Sequence, residues 1–154
     1  MHIERGAIVA VVDGRKWLIY RNEGDSTRPV LEVLAHDKAV HGYARDFGSD
    51  QPGRTYGGPG ATRSAYSETD FHQKAEEDFA KEAAARLNRM AMDGEMESLI
   101  VVATPRTLGV LRPEWHKRLR EKLTAELPHE ATQLTAGELV EMLEAHPAPK
   151  PPLV

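Results

Sequence analysis

Three short apolar runs near the start of the chain predict three β-strands. Residues 7–12 are continuously apolar and largely β-branched, and Asp13-Gly14 follows them as a dipeptide typical of hairpin turns. Residues 17–20 and 30–34 form the second and third runs, with a polar loop between them. We therefore predict that the domain opens with an antiparallel meander of three strands.

The middle of the chain carries the periodicity of a long amphipathic helix. Its apolar residues recur at every fourth position, at Ala75, Phe79, Ala83 and Leu87. Asp70 is a good N-cap residue, and Gln73 stands at the capping-box position three residues later. These signals predict a helix from Asp70 to about Met90.

The last third of the chain alternates strand and helix signals. Residues 99–103 predict a buried strand, and Pro113 suits the first turn of a helix that Pro128 ends. That helix would carry an inner stripe of Trp115, Leu119 and Leu123. Residues 131–134 predict a short strand. Thr135 and Glu138 then form a capping box for a last helix to about Ala145.

The predicted order is β-β-β, a long loop over 36–66, then α-β-α-β-α. Meander strands followed by alternating helices and strands predict an α/β fold, with a mixed sheet, helices packed on it and a ribonuclease H-like topology. We expect one domain over residues 1–145. Residues 146–154 contain four prolines and predict a flexible tail.

Composition excludes several classes of protein. The 154 residues include no cysteine, which rules out disulfides and thiolate metal sites. No apolar stretch approaches the roughly 20 residues needed to span a membrane, and no export signal precedes residues 7–12. We expect a cytoplasmic location. The net charge of −4 does not suggest a large nucleic-acid footprint, although a local basic patch remains compatible with it.

Two basic segments are the candidate binding residues. The glycine-rich stretch 51–64 contains no lysine and therefore does not match a Walker phosphate loop. Arginines bracket its glycines, so we predict RNA contact by Gly53, Arg54, Gly57, Gly58 and Arg63. The outer face of the helix after Pro113 adds Lys117, Arg118, Arg120 and Lys122. The competing interpretation is a solvated helix face and a loop with incidental arginines.

Other candidate chemistry is weaker. The first strand carries no acid that could begin a nuclease metal site, and Asp13 is expected to shape its turn. His72 and Glu76 have the spacing of two metal ligands on a helix, and His36 and His41 are assigned to the preceding loop. An ordinary solvated contact is the preferred interpretation of that pair, so we predict no metal, no cofactor and no catalytic residue.

Several motifs in order resemble a bacterial family described as required for attachment to host cells. They are Val-Val-Asp-Gly at 11–14, Asp-Gln-Pro-Gly-Arg at 50–54, Thr-Asp-Phe-His at 69–72, Phe-Ala-Lys-Glu at 79–82, and Leu-Ile-Val-Val-Ala at 99–103 before Pro-Arg-Thr-Leu-Gly at 105–109. The similarity extends from about Ala7 to Leu143. Gln133 departs from it, because the family pattern has a histidine there.

The host-attachment family in turn resembles the middle domain of archaeal and eukaryotic peptide-release factors. That domain carries a Gly-Gly-Gln loop before a long helix, and Gly57-Gly58 stand at a comparable place. Pro59 replaces the glutamine and lacks both its amide and a backbone N–H, so the resemblance implies that release-type hydrolysis is not intact.

We therefore predict a non-enzymatic cytoplasmic module that contacts the ribosome or a tRNA. Any role in host attachment would then be indirect. The alternatives are a hydrolase of peptidyl-tRNA or another ester that uses the glycine-rich loop, and a structural or oligomerising domain.

Overall fold

The computed structural model describes residues 1–40 and 59–148, with side chains from residue 69 onward in the second range. Ten elements of secondary structure follow in chain order: β1 Ile8–Val12, β2 Lys16–Asn22, β3 Leu31–Lys38, α1 Pro59–Met92, β4 Leu99–Ala103, α2 Pro105–Leu111, a 3-10 turn Arg112–Glu114, α3 Lys117–Lys122, β5 Leu123–Pro128 and α4 Ala136–Ala145.

The five strands form one mixed sheet in the order β3-β2-β1-β4-β5. The first three strands are antiparallel neighbours, with Val12 opposite Trp17 in the first hairpin. β4 then pairs parallel to β1, and β5 pairs parallel to β4. The predicted mixed sheet, its opening meander and the helices packed on it are confirmed. The narrower ribonuclease H-like assignment stays a prediction.

The central strands are apolar throughout because both of their faces are covered. Every residue of β1 and β4 is buried, as expected of strands that lie between two layers. Alternate residues of each strand enter two separate hydrophobic clusters, so that Ile8 and Leu99 face one layer while Val9 and Ile100 face the other.

The helices divide unequally between the two faces. The side chains of α1, α2 and α3 join the cluster that contains Ile8, with Leu87, Leu108 and Leu119 fully or almost fully buried. Among the described helices, α4 is the one that covers the opposite face, where Leu139 and Leu143 pack. Thr135 caps α4 through the predicted capping box with Glu138, which is confirmed.

The predicted bounds of the long loop 36–66 and the predicted helix start are wrong, while residues 41–58 of that loop lie outside the described residues. His36 belongs to β3, which continues to Lys38, and α1 begins at Pro59 rather than at Asp70. Proline suits a first helical position because its φ is already helical and its missing N–H has no partner there. Because no proline interrupts residues 60–69, the helix runs through Asp70, whose capping pattern is therefore not used.

After β4, one helix was not predicted and two predicted elements are wrong. Pro105 starts α2, capped by Thr104, in a segment between residue 103 and Pro113 for which no element was predicted. The helix predicted from Pro113 to Pro128 is instead a 3-10 turn, the short α3 and then β5. Leu123 continues the helical spacing of the stripe, but it is the first residue of β5. The strand predicted at 131–134 is a turn.

None of the helices in the described ranges is long and apolar enough to cross a membrane. Residues 146–148 of the predicted tail are exposed and lie outside any helix or strand. The rest of the tail lies outside the described residues.

Candidate nucleic-acid interface

The four basic residues predicted on the helix after Pro113 lie together on α3. Lys117, Arg118, Arg120 and Lys122 are all exposed, whereas Leu119 in their midst is fully buried. None of the four forms an ion pair with any residue that the structure describes. The short helix therefore presents four bases and one acid, Glu121, to solvent, and no salt bridge within the described residues neutralises the bases.

Buried contacts hold α3 against the body of the protein. Trp115, just before the helix, is only 6% exposed, and its indole Nε1 donates to Glu126 Oε2 at 3.3 Å. The other oxygen of Glu126 accepts from Arg112 Nε at 3.0 Å. One carboxylate on β5 thus fixes both ends of the 3-10 turn that leads into α3.

Asn88 joins α1 to the start of α3. Its Nδ2 donates to the backbone carbonyl of Glu114 at 2.8 Å, and its Oδ1 accepts from the backbone N–H of His116 at 2.9 Å. His116 is the N-cap of α3, because its Nδ1 accepts from the backbone N–H of Arg118 at 3.2 Å. Neither residue was among the predicted site residues.

The other predicted binding segment lies largely outside the described residues. This applies to Gly53, Arg54, Gly57 and Gly58, which stay predictions. Arg63 lies within α1, and its side chain is outside the described part. The structure thus brings together the four α3 residues, whereas the side chains of the five residues of the glycine-rich segment lie outside the described part.

The described histidines do not form a metal site. His36 lies on the edge strand β3 and His72 on α1, where its ring meets that of Phe71 edge-on at 6.0 Å. His41 lies outside the described residues. Within residues 1–40 and 59–148, no group of three or more histidines and carboxylates is placed to hold a metal ion.

A family model now identifies the class of protein. The model of bacterial archaeo-eukaryotic release factor family 12 matches residues 6–143, which is most of the chain. The chain belongs to this family, and the predicted resemblance to release factors is confirmed. The host-attachment designation stays a prediction.

Solved structures give weaker similarities. The crystal structure of the archaeal translation termination factor aRF1 is 16% identical, with 89% of this chain and 36% of that chain covered and a TM-score of 0.43. A structure described as an archaeal protein is 16% identical, covers 90% of this chain and 38% of its own, and has a TM-score of 0.42. The chain thus spans little more than a third of either protein. No curated protein matches it.

Proposed function

We propose that this protein is a non-enzymatic RNA-contacting module of the translation apparatus, with the ribosome or a tRNA as its partner. The observation that carries the proposal is the set of four exposed bases on α3 without ion-pair partners among the described residues. Membership of a release-factor family supports a partner in translation. A cytoplasmic location and an indirect role in attachment are part of the same proposal.

The bases of α3 supply local positive charge at a fixed position on the protein. Lysine and arginine bind phosphate oxygens, and their contacts release condensed counterions from RNA. The net charge of the whole chain is −4, so association with RNA must depend on a local basic surface. Trp115 and Leu119 anchor that surface in the core, so little ordering of the backbone is needed on binding.

Co-sedimentation with ribosomes at low and raised salt tests the proposal. The variant K117Q/R118Q/R120Q/K122Q removes the four charges of α3. The control R5Q/R15Q/R28Q/K38Q removes four exposed bases elsewhere and changes the net charge equally. We expect salt-sensitive association of the wild type, loss with the α3 variant and retention with the control. Absence of association at low salt, or equal loss with both variants, would contradict the proposal.

Hydrolysis of peptidyl-tRNA or another ester is the alternative that the family favours. A release assay with purified protein and peptidyl-tRNA distinguishes hydrolysis from binding without catalysis. Activity that G57A/G58A abolishes would establish the hydrolase and overturn the non-enzymatic proposal. Inactivity of the wild type, beside a release factor that is active in the same assay, would support binding without catalysis.

A further inference from the structure

One amide side chain on α1 holds the backbone that leads into α3. Asn88 contacts the two groups that flank Trp115, the carbonyl of Glu114 at 2.8 Å and the N–H of His116 at 2.9 Å. Trp115 and His116 are both extended, with ψ of 123° and 154°, so these two groups point to the same side of the chain. A neighbouring strand would bond such a pair in a sheet, and here Asn88 takes that place. Leu87 beside it is fully buried, so the core holds Asn88 in position.

α3 is too short to keep its orientation by itself. It has six residues, whereas an isolated helix of fewer than about 12–15 residues is marginal in water. Leu119 anchors its middle, because this side chain is fully buried. The sheet holds its exit, since Leu123 directly follows the helix and pairs with Leu99 on β4. The orientation of its first turn therefore depends on contacts made before Lys117.

Glu126 and Asn88 hold this entry to α3 in different ways. Glu126 bonds to the side chains of Arg112 and Trp115, at 3.0 and 3.3 Å. Asn88 bonds to the backbone, and one of its two bonds falls on His116, the residue that caps α3. The backbone direction at a helix start sets the direction of the side chains that follow, so Asn88 controls where the exposed bases point.

We propose that Asn88 is a positioning residue for phosphate binding by α3. This inference rests on the proposed function and adds to it a residue that carries no charge. Because Asn88 holds the entry, the bases of α3 meet a nucleic-acid backbone in one arrangement, and little conformational entropy is lost on binding. Without Asn88 the same bases still reach the phosphates, but the entry must first be ordered. The affinity then falls while the number of phosphate contacts stays the same.

The salt dependence of binding separates position from charge. The logarithm of the association constant falls with the logarithm of the salt concentration by roughly 0.7 for each single-strand phosphate contact. Fluorescence anisotropy with a labelled 12-nucleotide oligouridylate measures both the affinity and this slope. For K117Q/R118Q we expect weaker binding and a slope smaller by about 1.4. For N88A we expect at least about threefold weaker binding with the slope of the wild type.

Thr132→Val is the matched control for loss of a side-chain hydrogen bond. The hydroxyl of Thr132 bonds to Asp13 in the first hairpin, and T132V should bind the RNA as tightly as the wild type does. Amide hydrogen exchange reports on the entry itself. In N88A the N–H of His116 loses its acceptor and should exchange faster. The N–H of Arg120, which donates to the carbonyl of His116 at 3.0 Å, should follow.

The outcomes separate the inference from the proposed function. If N88A binds as tightly as the wild type while K117Q/R118Q binds more weakly, the inference is overturned and binding by α3 stands. A smaller slope in N88A also overturns the inference, because bases have then left the RNA. Equal weakening by T132V shows an effect of stability and overturns it too.

Two results would overturn the inference together with the proposed function. One is absence of wild-type binding at low salt, for this RNA and for ribosomes. The other is wild-type affinity in K117Q/R118Q. Thermal melting verifies folding, and if N88A does not fold, N88S takes its place with the same expected and contradicting results. The single hydroxyl of serine cannot contact both Glu114 and His116.

Discussion

The hydroxyl of Thr132 donates a 2.5 Å hydrogen bond to the carboxylate of Asp13, 119 residues earlier in the chain. The other oxygen of Asp13 accepts from the backbone N–H groups of Arg15 and Lys16, at 2.7 and 2.8 Å. The predicted role of Asp13 in its turn is therefore confirmed. One carboxylate both shapes the β1–β2 hairpin and ties it to the segment before α4.

Replacing Thr132 by Val should lower the free energy of unfolding by about 1–3 kcal/mol, because the variant keeps the shape of the side chain but leaves a carboxylate oxygen without its donor. Thr132 is only 2% exposed, so water cannot readily take its place. Urea unfolding measures the effect. The exposed Thr124 on β5 supplies the control, since T124V should change stability by less than about 0.5 kcal/mol. Equal effects of the two substitutions would contradict a specific role for this bond.

Gly14 allows the hairpin to approach α1 closely. A Cβ at this position would lie 2.7 Å from Cβ of Glu76, an atom fixed by the helix backbone. We expect Gly14→Ala to destabilise the protein by about 1–3 kcal/mol. Adding E76A should not restore the stability of G14A, because alanine at position 76 keeps the obstructing Cβ.

The control for Gly14 is Gly109 on α2, where an added Cβ meets nothing within 4 Å. Gly109→Ala should stabilise the protein by about 0.5–1 kcal/mol, because alanine favours helix over glycine. Chemical denaturation of the two single variants gives both values. If G14A has the same free energy of unfolding as the wild type, the hairpin can move away from α1 without loss of stability, which would contradict the prediction.

The elements that could be predicted are those marked by residues close together in the sequence. β1 and β4 are continuous apolar runs, and β4 was predicted with its observed bounds, Leu99–Ala103. The capping box at Thr135 likewise needs only residues three apart. The end of α3 could not be predicted in this way. Leu119 and Leu123 keep the spacing of a helix, and only pairing of Leu123 with Leu99 makes the latter part of that segment a strand.

The candidate site was predictable only in part for the same reason. The exposure of the α3 bases could be predicted, because they lie opposite the apolar stripe of Trp115 and Leu119. The contact of Asn88 with Glu114 joins residues 26 positions apart, and no sequence pattern marks it. Asn88 was therefore missed, and with it the hydrogen bonds that join α1 to the start of α3.

Asn22 is a fully buried amide whose donors and acceptor are all used. Its Nδ2 donates to the carbonyls of Ile3 and Glu4, at 2.9 and 3.1 Å, and its Oδ1 accepts from the N–H groups of Gly24 and Val30. Asn22→Asp replaces the donor with an oxygen that faces carbonyls. We expect a loss on the order of 3 kcal/mol at neutral pH.

The control for Asn22 is Gln133→Glu, an equivalent change at an exposed side chain, which should alter stability by less than about 0.5 kcal/mol. The cost of N22D should shrink as pH falls, because a protonated carboxyl regains one donor. Urea midpoints at pH 4 and 7 test both statements. A pH-independent cost would show that the lost amide donor is not its cause.

The capping box of α4 gives stability a specific pH dependence. The pKa of Glu138 lies below its usual value because its carboxylate accepts the backbone N–H of Thr135, with a smaller contribution from the Thr135 hydroxyl. The unfolded chain therefore binds this proton at higher pH than the folded chain does. The contribution is complete above the unfolded pKa of about 4.3 and is lost as pH falls through the folded pKa.

Glu138→Gln should remove this part of the dependence. Unfolding midpoints from pH 3 to 7 should decline less steeply below about pH 5 in E138Q than in the wild type. Glu141, exposed on the same helix, provides the control variant E141Q. Parallel curves for the wild type and E138Q would contradict the role of the capping box.

His116 allows folding and binding of α3 to be separated. His116→Ala removes the N-cap acceptor of Arg118 N–H and should cost about 1 kcal/mol of stability. His116→Asp keeps an acceptor and adds a negative charge that favours the helix N-terminus, so its stability should equal or exceed that of the wild type. That same charge lies beside Lys117 and should weaken RNA binding. Thermal melting and anisotropy on both variants measure the two effects. If H116D is at least as stable as the wild type and binds as tightly, phosphate contact does not occur at α3, because a polyanion bound there would meet the added carboxylate.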